Sequence, residues 1–115
     1  MAFRLEFSEQ AERDFALIFD HLLESYIGFG EGVEAAIDHA EARVLEIRAT
    51  ANRILTAPHR GELHDDILPG LRHLTIHRAI YWFDVHEERE TIRILAVFFG
   101  GQDHVRHMLA RLIDS

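Results

Sequence analysis

The sequence contains no cysteine, which excludes disulfides, thiolate metal sites and cysteine nucleophiles. It contains no lysine either: all 12 basic residues are arginine, so Schiff-base chemistry and a lysine base are closed to it. Proline occurs only twice, both times near the middle of the 115 residues. No window approaches about eighteen consecutive apolar residues, so no membrane-spanning helix and no membrane partner are expected. The opening MAFRLEFSEQ lacks the apolar block of a secretory signal and the Arg/Ser-rich character of a transit peptide, which makes the cytoplasm the expected location. Positive charge is scarce, with 12 basic residues against 20 acidic ones and a net charge of -8. That balance argues against a whole-surface grip on a polyphosphate, and direct specific DNA binding by this chain alone is not expected.

What is present reads as one folded unit. Hydrophobic residues at 48% and charged residues at 28% are values of a globular chain, and the length suits a single domain over 1–115. The charge is unevenly placed. Residues 1–52 carry four arginines and eleven acids, whereas residues 53–81 carry four arginines, three acids and four of the nine histidines.

Residues 2–7 alternate Phe3, Leu5 and Phe7 against Arg4 and Glu6, the period of a half-buried strand. Ser8 can cap a helix whose stripe runs through Ala11, Phe15, Ile18, Phe19, Leu22 and Tyr26, with Asp14, Asp20 and Glu24 largely off it. Gly28, Gly30 and Gly32 break that helix, and a second, alanine-rich one follows, with Val33, Ala36, Ile37, Ala40, Val44, Ile47 and Ala51 as its stripe. So short a connection makes the two an antiparallel hairpin. Residues 52–71 read as an ordered connector. Three strands are expected at about 72–77, 79–85 and 91–99, the last two apolar at nearly every position, and a short helix closes the chain with Val105, Met108, Leu109 and Leu112. The resulting pattern, β-α-α-β-β-β-α, is a two-layer α+β domain: an N-terminal strand, a helical hairpin, a three-stranded antiparallel meander and a C-terminal helix.

This order, together with FRLEFSEQAERDFALIFDHL at the start, Gly61 in the connector, LPGLRHLTIHRAIYWF at 68–83 and IRILAVFFGGQDH at 92–104, resembles the RelE/ParE superfamily of bacterial type II toxins. The resemblance implies a toxin, associated with plasmid stabilisation, that is neutralised by a small cognate antitoxin and uses no cofactor. It leaves two mechanisms. RelE-like members are ribosome-dependent endoribonucleases acting on messenger RNA, and ParE-like members act on DNA gyrase without being nucleases.

Cleavage at a 2′-hydroxyl needs a base, an acid and cations on the phosphate. Arg72 and Arg78 match family arginines on the first two meander strands, and Tyr81 is a candidate acid, although its mid-strand place between Ile80 and Trp82 equally fits a buried aromatic. Where nuclease members carry His and Arg after the last strand, this chain has Phe99 and Gln102. That departure favours the ParE-like reading, with Arg72, Arg78, Phe99, Gln102, Asp103 and His104 as candidate target-binding residues; a degenerate member that only binds antitoxin is the third alternative. Arg72 and Arg78 could equally pair with Asp65, Asp66 or Asp84, and Asp103 suits a helix cap. No metal site is expected. His73 and His77 share a strand face but lie roughly 13 Å apart, and His104 with His107 lacks a third ligand.

Overall fold

The computed structural model describes residues 2–100 and 103–114. The first strand, β1 (Arg4–Phe7), runs into Ser8, whose hydroxyl accepts the Ala11 N–H at 3.0 Å and caps α1 (Glu9–Gly28). The same hydroxyl donates to the Leu95 carbonyl, so the start of the helix is tied to the sheet it covers. Helix α2 (Val33–Thr50) returns antiparallel to α1. Its buried residues are Ala36, Ala40 and Ile47, and small side chains at the first two let the helices approach closely. Val33 and Ile37, expected on the buried stripe, are exposed, and it is Ala36 between them that faces inward.

The connector holds more structure than its lack of periodicity suggested. Residues Ala51–Thr56 form a 3-10 turn that buries Ala51 and Ile54, and Glu62–Leu63 form a two-residue strand, β2. Strands β3 (Arg72–Ile76), β4 (Ala79–His86) and β5 (Thr91–Phe99) follow as an antiparallel meander. With β1 parallel to β5 and β2 antiparallel to β3, the sheet has five strands in the order β1-β5-β4-β3-β2.

The two faces of β4 are both covered, and by different elements. Ala79, Tyr81 and Phe83 pack with α1, α2 and the 3-10 turn, while the alternating Ile80 and Trp82 pack with Leu71, Ala96 and Met108. Met108 belongs to α3 (His104–Asp114), which therefore crosses the face opposite the hairpin. The two-layer expectation is corrected to helices on both sides of the sheet, which accounts for strands that are apolar at almost every position. Of the expected α3 stripe only Met108 is buried, and Val105 and Leu109 stay exposed.

Strand β1 pairs with β5 only as far as Phe7 opposite Ile94, leaving the upper half of β5 as an edge. Asp14 closes part of it. Its Oδ2 accepts the Val97 N–H at 2.9 Å, and both carboxylate oxygens take Arg111 guanidinium hydrogen bonds at 2.8 Å. Asp14, read in sequence as lying off the buried stripe, is only 3% exposed because this edge needs an acceptor.

Candidate functional site

The hairpin turn between β3 and β4 consists of His77 and Arg78, both at positive φ (49° and 72°). Positive φ at both central positions suits the right-handed twist of a two-residue hairpin, but it is normally supplied by Asn or Gly. Carrying it on two large residues stores backbone strain at an exposed tip. The Arg78 carbonyl accepts the Gly100 N–H at 3.0 Å, which locks the tip to the end of β5. Its guanidinium lies 5.2 Å from the centre of the Phe99 ring, and Arg43 from α2 approaches the same ring at 5.6 Å. Arg78 and Phe99 thus form one arginine-aromatic surface, and they share a cleft with His21, Tyr26, Phe29 and Arg43. Phe29, at the tip of the helical hairpin, is 88% exposed.

Arg72 lies elsewhere. It donates to the His59 carbonyl at 2.8 Å, bracing the connector. The expected carboxylate partners of the arginines are taken up differently: Asp65 accepts the Gly70 N–H at 2.8 Å and Asp84 sits 3.0 Å from His86 Nε2. Tyr81 is fully buried and donates to the Ile47 carbonyl at 2.6 Å. Burial pushes its hydroxyl up to about 12, with Arg43 opposing and Glu46 adding smaller effects. It is a strut between β4 and α2, remote from any solvent-borne substrate.

His104 and Asp103 open α3. The Asp103 carbonyl accepts the His107 N–H, the first bond of the helix, with Asp103 itself at φ 58°. Gln102 lies outside the described residues. The His104 ring packs edge-on against His73, their centroids 4.6 Å apart, so this histidine joins the opposite face of the sheet from Phe99's cation partners.

That face carries a group that sequence spacing did not reveal. His64, His73 and His104 gather over Trp82, their ring centres 4.7, 4.9 and 5.6 Å from it, and Glu62 on β2 reaches His64. The signal available in the sequence was the density of histidine in residues 53–81, but pairing across strands, rather than spacing along one, brings the rings together. Desolvation lowers the pKa of both His73 and His104, reinforced by their imidazole neighbours and opposed by Glu62, so the neutral rings are favoured.

The five candidates among the described residues therefore divide among three places: Arg78 with Phe99, His104 and Asp103 at the start of α3, and Arg72 against the connector. Among the described residues, no helix is long and apolar enough to cross a membrane.

Neither a protein-family model nor a curated protein matches the chain. Solved structures do. A chain of the chromosomal ParDE TA system from P. aeruginosa superposes with a TM-score of 0.63 at 20% identity, over 87% of this chain and 98% of that one. A chain of the toxin-antitoxin complex RelBE2 from Mycobacterium tuberculosis gives 0.52 at 17% identity, over 86% and 92%. A mutant of the E. coli toxin RelE in the free state gives 0.52 at 14%, over 98% and 99%. The chain has the fold of the RelE/ParE toxins.

Proposed function

We propose that this chain is the toxin of a toxin-antitoxin pair, ParE-like in that it acts by binding DNA gyrase, and that a cognate antitoxin neutralises it. The observation that carries the reading is the dispersal of the groups RNA cleavage would need. Arg72 braces a backbone carbonyl, Arg78 lies over Phe99, and Tyr81 is buried against α2. A nuclease has to aim such groups at a single phosphate. The fold-level likeness to ParDE and RelE chains alike supports a toxin of this kind and leaves the branch to the residues.

A binding protein needs a surface rather than a catalytic centre, and two are available. One is the Arg78-Phe99 tip with its neighbouring cleft. The other is the outer side of α3, where Val105, Leu109 and Ile113 recur every four residues and Ile113 is 79% exposed. An antitoxin segment with apolar anchors suits the second.

The ribonuclease reading keeps one specific observation in its favour, the imidazole cluster with Glu62, which could move protons near neutral pH. Induced expression in bacteria carrying a DNA-damage reporter separates the two. Growth arrest with reporter induction, abolished by co-expressing the antitoxin, is the expected result. Arrest with a silent reporter and cut ribosome-bound messenger would overturn the gyrase reading.

A further inference from the structure

Four side chains that the sequence scatters over 43 positions, Glu62, His64, His73 and His104, meet on the sheet face away from the helical hairpin. Strand pairing sets the meeting: Glu62 lies opposite His73 in the β2-β3 register, and His73 lies opposite Trp82 in the β3-β4 register. His64 Nε2 is 2.7 Å from His73 Nδ1 and 3.1 Å from Glu62 Oε2, and His73 Nδ1 is 3.9 Å from the same oxygen. All three ligand atoms fall within 4.8 Å of one another.

These separations have a chemical meaning. Zinc bonds of about 2.0–2.1 Å in a tetrahedron place neighbouring ligand atoms about 3.3 Å apart, and the three observed distances bracket that value. Hydrogen bonding satisfies the group only in part: a single ring N–H bridges His64 Nε2 and His73 Nδ1, and Glu62 Oε2, 3.1 Å from His64 Nε2, competes for that same proton. A fourth donor stands beside this set, outside the three whose ligand atoms already converge. His104 Nδ1 is buried without a hydrogen-bond partner, and its ring stands edge-on to His73.

We propose that Glu62, His64 and His73 bind one divalent transition-metal ion of the zinc class, with His104 as the fourth ligand. Imidazole-rich ligation selects such ions over magnesium and calcium, which require oxygen. The Glu62 carboxylate is largely exposed and gives the ion its way in, while Trp82 forms the apolar floor. Four protein ligands close the site, so its role is structural. It fastens β2 and β3 to the first turn of α3, holding the end of the chain across the sheet. The proposal is independent of the gyrase reading, since it concerns what the folded chain holds and not what it attacks.

The test uses the purified chain stripped of metal with a chelator. Zinc chloride is titrated by calorimetry and thermal denaturation, and cobalt(II) is used as an optical probe of geometry. The expected result is one ion per chain, a Tm that rises with zinc, and the intense visible bands of tetrahedral cobalt. Glu62→Gln, at an exposed position that leaves the fold intact, weakens binding by about tenfold or more, as does His104→Gln. His107→Ala, one turn along α3 and outside the cluster, leaves affinity unchanged. His73→Gln is read only if circular dichroism shows it folded, and Glu62→Gln decides otherwise. Equal affinity in the wild type and Glu62→Gln, or no binding at millimolar zinc, overturns the site; an unchanged His104→Gln overturns the fourth ligand.

Discussion

Asp14 sits on a helix, reads as a surface residue by its spacing, and is buried because the upper edge of β5 has an N–H to satisfy. Its carboxylate joins α1, β5 and α3 through Val97 and Arg111. Removing one member of a buried pair leaves the other charge unpaired. Asp14→Ala should therefore destabilise the chain by about 3 kcal/mol in urea unfolding. The double variant Asp14→Leu with Arg111→Met should lose much less than the sum of the single changes, and strict additivity would show that the pair is not coupled. Tyr81 gives a pH prediction. Its folded pKa, about 12, lies above the ordinary tyrosine value of 10.0, so the stability it supports is complete below pH 10 and lost as pH rises through about 12. Urea midpoints should fall across that window in the wild type and fall less in Tyr81→Phe, which at neutral pH should cost about 1 kcal/mol for the lost bond to Ile47. An equal alkaline loss in both proteins would remove Tyr81 as its source.

At the scale of elements, the strands and helices whose apolar period is continuous were legible: β1, α1, α2, the meander and α3 all lie within a few residues of where the pattern puts them. The connector was not, because a 3-10 turn and a two-residue strand are too short to show a period. Gly61 marks that hidden structure. It has φ +91°, and a Cβ there would sit 2.3 Å from the His73 carbonyl oxygen, on the strand to which β2 pairs. Gly61→Ala should cost about 2 kcal/mol or more, through strain and displacement of β2. Gly70, at φ +80° with open space around it, should cost only about 1 kcal/mol as alanine, and equal costs would contradict the close approach. The β3-β4 turn makes the complementary case. Replacing His77-Arg78 by Asn-Gly relieves two positive-φ residues and should raise stability by about 1 kcal/mol. If the Arg78 tip touches the target, the same change abolishes growth arrest; a stabilised variant that still arrests growth would take the tip out of the interface.

For the whole molecule, the order of elements made the fold readable, whereas the meeting of residues across strands and around the sheet did not. Arg78 and Phe99 come together because the turn after β3 faces the end of β5. The histidine cluster forms because β2-β3 pairing brings His64 to His73 and because α3, crossing the face that a two-layer reading leaves bare, adds His104. Both follow from topology, which residue spacing encodes only through the sheet. A net charge of -8 adds a constraint on mechanism, since a chain so acidic is repelled by nucleic acid and better suited to a protein target. The most direct test of that account is a supercoiling and cleavage assay with purified gyrase, ATP and plasmid DNA, to which the purified chain is added. The account predicts inhibited supercoiling and accumulated gyrase-cleaved DNA, both reversed by the antitoxin and weakened in Arg78→Ala. Unimpeded gyrase, with the same preparation arresting translation and cutting messenger on ribosomes, would contradict it.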